Sequence, residues 1–201
     1  PSSHLGRGRC AMKQFLAPKS RLEARLARRL RSLGISAPEP LAAGWDGSAS
    51  YLLTVEVAGA SPLDSIEGSR DLARALGPLL ARLHRIGLWH PDLHAGNLLV
   101  STAPDSKPWL TVIDLPSARL IPEMPEGLAM RSLAMLAASL PLFRRGDLLR
   151  ALKAYRGGVA MPRKAGPRAK PASAPSLPFI TYHEKIFHVH APDNARARIT
   201  V

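Results

Sequence analysis

Leu22, Leu26, Leu30 and Leu33 recur at intervals of three and four along an arginine-rich stretch, and Gly34 closes the run. Apolar side chains at that spacing share one face of a helix, so a helix is predicted from Ser20 to Leu33. Arg21, Arg25, Arg28, Arg29 and Arg31 cover much of its remaining surface. Ser20-Arg21-Leu22-Glu23 has the S-x-x-E form of a capping box, which satisfies two free amides at a helix start. A second helical stripe, Leu72, Leu76, Leu79, Leu80, Leu83 and Ile86, predicts a helix over 69–86 that Gly87 ends. Pro78 lies inside that stripe and predicts a kink or a split into two helices. His84, on the same helix, reads as a packing or surface histidine. Residues 128–143 and 147–155 are further apolar helical stretches, with Asp147 as a helix cap.

Shorter apolar runs between the helices read as strands. They are 9–16, Leu41–Gly44, Tyr51–Val57, Asn97–Val100 and Leu110–Ile113. Trp45-Asp46-Gly47-Ser48 is a turn between the second and third, and the two prolines of 35–40 demand an extended lead-in. The last two strands suit a hairpin, which brings Asn97 and Asp114 to one end of the pair. From Gly157 to about residue 178 the chain is basic and rich in Pro, Ala and Ser, the composition of a flexible linker. Phe179–His190 regains strand character, and its three histidines, His183, His188 and His190, are a weak metal pattern without a cysteine.

The chain has 201 residues, 46% of them hydrophobic, which suits one domain or two small lobes. No secretory leader and no run of about 18 apolar residues is visible, so neither export nor a transmembrane helix is expected. The single Cys10 excludes an intrachain disulfide. The net charge of +13 is uneven. Residues 1–35 hold nine Lys/Arg and one acid, and 153–201 hold nine and two, while 36–152 hold ten bases and twelve acids. Basic ends favour an anionic surface, such as phosphorylated lipid or the inner membrane leaflet. The plain alternative is a solvated basic face. Nucleic acid is disfavoured, because no aromatic stacking motif is interleaved with the bases.

The chemistry concentrates in His90-Pro91-Asp92-Leu93-His94-Ala95-Gly96-Asn97 and in Asp114 after the following strand. An Asp, an Asn five residues later and a second Asp form the acidic half of a phosphotransferase. Asp92 can orient and deprotonate a hydroxyl, while Asn97 and Asp114 can hold Mg²⁺ on ATP. Lys13 in the first strand has the position of a phosphate-binding lysine. Glu23 then has two readings, a capping carboxylate or the helix residue that pairs with Lys13. Glu56 and Val57, at the end of the Tyr51–Val57 strand, are where a hinge would offer backbone groups to adenine.

His90–Asn97, Val112-Ile113-Asp114-Leu115 and the stretch from Glu23 through Leu33-Gly34-Ile35-Ser36-Ala37-Pro38-Glu39-Pro40-Leu41 together resemble the lipopolysaccharide-core kinases of the Kdo/WaaP-like family. The resemblance spans roughly residues 9–156. It implies an α+β, two-lobed protein-kinase-like fold, with a small, incomplete β-rich amino-terminal lobe (1–57) and a mainly helical carboxy-terminal lobe (58–158); residues 159–201 match nothing in that family and read from their composition as a basic, flexible tail. It implies ATP and Mg²⁺, with phosphorylation of a sugar hydroxyl in the lipid A–core region by a cytoplasmic protein peripheral to the inner membrane. By position it makes Lys13 the phosphate lysine, Glu23 its partner, Asp92 the base, Asn97 and Asp114 the metal ligands, and His90 a support for the loop. His94 replaces the loop lysine of protein kinases and is similar to small-molecule phosphotransferases of the aminoglycoside type. Gly6-Arg7-Gly8 stands only five residues ahead of Lys13, where a longer glycine-rich hairpin is expected, and Leu115-Pro116 follows Asp114 instead of Phe-Gly. The alternatives are a catalytically impaired kinase-shaped binding module, an aminoglycoside- or choline-type small-molecule kinase, or a protein kinase.

Overall fold

The computed structural model describes residues 10–15, 19–45, 48–102 and 107–159, together with three strands between 179 and 200. Strands β1 (Cys10–Phe15), β2 (Pro40–Trp45) and β3 (Ser50–Val55) form an antiparallel sheet in the order β1-β3-β2. Lys13 stands opposite Leu52 in this ladder. The register slips between Pro40 and Ala42, where proline has no amide to give the ladder. β3 ends at Val55, so Glu56 and Val57, expected in the strand, lie in the irregular segment after it. The Asp46-Gly47 turn and Gly6-Arg7-Gly8 fall outside the described residues.

Helix α1 (Ser20–Ser32) packs through a face rotated from its leucine stripe, keeping Leu30 in the core and Leu26 against it but turning Leu22 out. Glu23, Ala24, Ala27 and Leu30 are buried, whereas Leu22 is 58% exposed. The alanines pack closely, Ala24 meeting Ala43 and Leu52 of the sheet, and the inward turn of this face brings Glu23 with it. The capping box does not form. Lys19 is the N-cap and its side chain makes no capping bond, while Ser20 N donates to Ser50 Oγ of β3 at 3.4 Å. Ser20 Oγ instead donates to Gly44 O at 3.2 Å. At the other end Gly34 adopts φ +69°, and the amides of Gly34 and Ile35 bond back to Arg31 O and Leu30 O. This is the glycine-dependent stop that the sequence predicts.

Strands β4 (Ser61–Pro62), β6 (Leu98–Thr102) and β7 (Pro108–Val112) form a second antiparallel sheet in the order β4-β6-β7. β5 (Leu88–Trp89) pairs with β8 (Arg119–Leu120). Helix α2 (Arg70–Arg85) starts from a Ser69 Oγ cap on Leu72 N–H and runs unbroken through Pro78. The expected split is absent: Pro78 lies on the exposed face, where water can solvate the carbonyl it strands, while Leu76, Gly77 and Leu80 beside it are buried. Helices α3 (Glu126–Ala138) and α4 (Arg145–Val159) complete the helical part. Gly77 is required where α2 meets α4, since a Cβ there would stand 2.4 Å from Ala151 O. Asp147 is not the cap of α4, which begins two residues earlier. It is buried in the first turn and ion-pairs with Arg150 at 3.0 Å.

One apolar core joins the parts. Leu30 and Ile35 meet Leu63, Leu76, Leu83, Leu93, Leu98, Val112, Leu115 and Leu136 in it. Ser36 fastens the segment after α1 to β7, its carbonyl accepting from Val112 N at 2.9 Å and its hydroxyl bonding Thr111 Oγ1 at 2.8 Å. Within 159–201, which the sequence reads as a flexible tail, strands β9 (Phe179–His183), β10 (Ile186–His190) and β11 (Arg196–Thr200) form a third antiparallel sheet, β11-β10-β9. The side chains of His183, His188 and His190 are outside the described set.

Candidate active site

Alternation along β1 turns Lys13 towards α1 and Met12 out, where it is 45% exposed. Lys13 Nζ lies 3.1 Å from Glu23 Oε1 and 2.9 Å from Asp114 Oδ1, a bridge across one helix and two sheets. Glu23 Oε1 also accepts from Leu115 N at 3.3 Å. Glu23 Oε2 is buried and has no partner among the described residues. A buried carboxylate with an unused oxygen is costly, and here that cost sits between the ammonium and the chain segment that carries Asp114. Asp114 is the one non-glycine described residue with positive φ, +59°. Asp is one of the few side chains that tolerate this left-handed region.

The loop of residues 90–97 is held from below and from within. Leu93 and Ala95 are buried in the core on either side of His94. Asp92 O accepts from His94 N at 3.0 Å and from Asn97 Nδ2 at 2.8 Å. That second bond fixes the amide of Asn97 with its oxygen pointing elsewhere. Ile113 N donates to Asn97 O at 3.0 Å, extending the β6–β7 ladder by one rung and bringing Asn97 beside the segment that ends in Asp114. His90 ties the same two segments. Its Nε2 faces Ile113 O at 3.4 Å, and its Nδ1 faces Asp92 N at 3.3 Å. Nε2 therefore carries the hydrogen and Nδ1 accepts. Burial lowers the pKa of His90, outweighing the carbonyl of Ile113 and the carboxylates of Asp114 and Asp92, and keeps it neutral as this pattern requires. His94 Nδ1 accepts from Gly96 N at 3.1 Å, leaving Nε2–H directed at Asp92 Oδ2, 3.7 Å away.

Beneath the first sheet lies a cavity of about 270 Å³. Lys13, Glu23 and Glu56 supply charged groups to its lining, and Leu52, Val57, Leu99 and Ile113 supply apolar ones. The structure thus brings Lys13, Glu23 and Asp114 into contact, and Asp92 and Asn97 into one turn beside them. Two contributors lack a signal in the sequence. Ser139, past the end of α3, accepts from the buried Ala95 N at 2.7 Å and donates to Leu136 O at 2.8 Å. Leu115 contributes only its amide. A lone serine and a main-chain N–H are invisible to motif reading. His84 is a packing residue, buried against Tyr155 with Nδ1 2.9 Å from the phenol oxygen. Among the described residues no group of three or more His, Cys, Asp or Glu could hold a metal ion. Asn97 and Asp114 make a two-oxygen set, of the size Mg²⁺ uses when phosphates and water complete its shell. No described helix is long and apolar enough to cross a membrane.

Chemically, an ammonium that lines such a cavity can neutralise phosphate. An exposed carboxylate on a rigid turn next to it can accept a hydroxyl proton.

Comparison with known proteins bears on the family and the fold. The model of the lipopolysaccharide kinase (Kdo/WaaP) family matches residues 2–155. A 3-deoxy-D-manno-octulosonic acid kinase from Actinobacillus succinogenes is 34% identical over 106 residues, 48% of this chain and 44% of the relative. One from Xylella fastidiosa (strain M12) is 32% identical over 114 residues, 51% and 43% of the respective chains. The chain therefore spans less than half the length of these curated relatives. Among solved structures, WaaP in complex with acyl carrier protein superposes with a TM-score of 0.60 at 25% identity, covering 74% of this chain and 70% of that one. The protein-kinase-like fold expected from the sequence is the fold observed.

Proposed function

The chain belongs to the lipopolysaccharide kinase (Kdo/WaaP) family, and from that premise we propose that it transfers a phosphoryl group from ATP to a sugar hydroxyl of the lipid A–core region. The observation that carries the proposal is the Lys13–Glu23–Asp114 contact at the cavity, beside the Asp92–Asn97 turn.

In this reading the apolar part of the cavity takes the adenine, with the backbone of Glu56 and Val57 beside it. Lys13 neutralises phosphate charge, and Glu23 aims it. Asn97, through the oxygen its Nδ2 bond leaves available, and Asp114 would hold Mg²⁺, which when bound screens the phosphate oxygens. Asp92 accepts the proton of the acceptor hydroxyl. His90 and Asn97 Nδ2 keep the Asp92 backbone in place, so that catalysis is largely positioning and fixed electrostatics. The basic ends and the glycolipid acceptor support work at the cytoplasmic face of the inner membrane.

Phosphotransfer from ATP to a Kdo-containing lipid A acceptor tests the proposal, with simple sugars and an aminoglycoside as controls. Asp92→Ala should lower kcat by about 10²-fold or more. Asp114→Asn, chosen because Asn also tolerates the left-handed backbone, should do likewise. Neither should change the melting temperature appreciably, since both side chains are substantially exposed. Wild-type rates in either variant refute the assignment. Stabilisation by Mg-ATP without turnover by the wild-type chain would favour the binding-module reading.

A further inference from the structure

Helix α3 is apolar on every side and yet lies at the surface. Only Glu126 and Arg131 in it are charged, and only Ala129, Ser132 and Leu136 are buried. A helix of that composition is ordinarily an inside helix. Its uncovered side carries Met130, with Ala134 and Ala137 one and two turns on, both exposed. The turn into α4 adds Leu142, held in place because Gly68 N donates to its carbonyl at 3.1 Å, and α4 adds Leu149. Met130, Leu142 and Leu149 are 55%, 47% and 56% exposed. Met130 and Leu149 also line a cavity of about 260 Å³ between α2, α3 and α4, together with Leu80, Leu133, Leu152 and Tyr155. Since two of its lining side chains are more than half exposed, the cavity opens on this face.

Cations surround the opening. Arg145 and Lys153 stand one turn before and one turn after Leu149, and Arg156 two turns after, so helical spacing puts all three on its side of α4. Arg131 on α3 and Arg144 in the turn add two more. All five are exposed, and none forms an ion pair with another described residue. Asp147 is buried and paired with Arg150, which leaves Glu126 as the one exposed acid of residues 126–158. An apolar opening among unpaired cations complements a surface that is negative outside and hydrocarbon beneath, as an anionic lipid leaflet is. A second copy of the chain, docked about a two-fold axis, would set these cations against one another. The strip also ends against the catalytic turn, because Ser139, just past α3, accepts from Ala95 N at 2.7 Å.

Resting on the kinase reading above for its choice of lipid, we propose that the α3–α4 face seats the protein on an anionic membrane. The exposed apolar side chains enter the acyl boundary and the five cations meet the headgroups. The catalytic turn is thereby brought to an acceptor that stays in the leaflet.

The test is flotation of the full chain with phosphatidylethanolamine–phosphatidylglycerol vesicles, with phosphatidylcholine vesicles as the neutral reference and neither ATP nor acceptor present. Wild type should float with the first and not with the second. Leu149→Gln and Met130→Gln should each weaken binding about tenfold, with melting temperatures near wild type because both side chains are exposed. Arg145→Gln with Lys153→Gln should weaken it about 25-fold, roughly fivefold per cation. Arg163→Gln with Lys164→Gln, the same charge change in the basic tail, should weaken it less. Absence of vesicle binding, or binding that none of the α3–α4 variants weakens, overturns the proposal. So does a loss confined to the charge pair, since nothing would then enter the bilayer. A dimer in analytical ultracentrifugation that Leu149→Gln dissolves would assign the face to a second copy, and binding of polyglutamate in place of vesicles would assign it to an acidic protein; either overturns it. Face-dependent vesicle binding without phosphotransfer sustains this proposal while the kinase reading fails. Phosphotransfer to a detergent-dispersed acceptor without vesicle binding does the reverse.

Discussion

Glu23→Gln separates the structural role of this residue from its electrostatic one. The substitution keeps size and shape. The amide oxygen can still accept from Leu115 N, which Glu23 Oε1 does at 3.3 Å. What it removes is the charge facing Lys13 Nζ at 3.1 Å. In a medium of effective dielectric about 20, two unit charges at such a distance attract by roughly 5 kcal/mol before costs. Two terms offset that. The Lys13 side chain is 36% exposed, so solvent screens the pair. Glu23 is buried with Oε2 unpartnered, so its ionised form carries a desolvation penalty. The net contribution to stability is therefore close to zero, and the variant should melt within a few degrees of wild type. Activity should respond differently. Without Glu23 the ammonium has only Asp114 to follow, at 2.9 Å, and the partner that aims it at phosphate is gone. Displacing a charged group by about an ångström costs on the order of 10²-fold in rate. Differential scanning fluorimetry and a phosphotransfer assay on the same preparation give both numbers. A melting temperature that collapses together with activity would show Glu23 to be a folding residue, and an undiminished rate would show that it does not aim Lys13.

Ser139→Ala should release the catalytic turn, because it leaves the buried Ala95 N–H without the acceptor it has at 2.7 Å. The expected cost is about 1–3 kcal/mol of stability, with kcat falling more than either KM, while Ser139→Thr keeps the hydroxyl and should recover both; equal behaviour of the two variants would contradict the tether. His84 should make the protein acid-sensitive. Burial lowers its pKa to about 4 from an ordinary 6.5, so the unfolded chain binds the proton more readily than the folded one. Its contribution is thus present above about pH 6.5 and is lost as pH falls towards 4, to a limit of roughly 3 kcal/mol. Urea unfolding of wild type and His84→Gln across that range should show a shallower decline in the variant; parallel curves would exclude His84 as the cause.

How much of this was readable beforehand depends on whether a residue's role is local. The Asp92, Asn97 and Asp114 spacing is a local pattern, and so is the Gly34 stop, whose backbone geometry only glycine takes easily. The strands and helices followed apolar periodicity to within a few residues. The errors share a cause. The leucine stripe of α1 caught Leu26 and Leu30 but not the rotation of the buried face, because Ala24, Ala27 and Glu23 took the inward side through tertiary contact. Pro78 did not break α2 because it sits on the exposed face, a placement that tertiary packing decides and the sequence does not reveal. Ser20-x-x-Glu23 scored as a capping box because the pattern is the same whether the carboxylate turns back to the helix end or away to a lysine ten residues upstream. Ser139 and the Leu115 amide act across 44 and 92 residues of chain, and no window sees that far.

The backbone at Asp114 shows why these distant contacts matter together. A non-glycine residue at φ +59° is strained by about 1 kcal/mol or more, and such a conformation persists only where its surroundings over-determine it. Here they do so on three sides. Lys13 holds the carboxylate, Glu23 takes the next amide, and Leu115 is anchored in the core at 2% exposure. Pro116 then restricts both its own φ and the conformation of Leu115. A segment that swings between two states in protein kinases is thus pinned at consecutive residues, and pinned by the same Glu23 that pairs with Lys13. β1, α1 and the β7 end hold one another, because each of the three supplies a partner that the other two need.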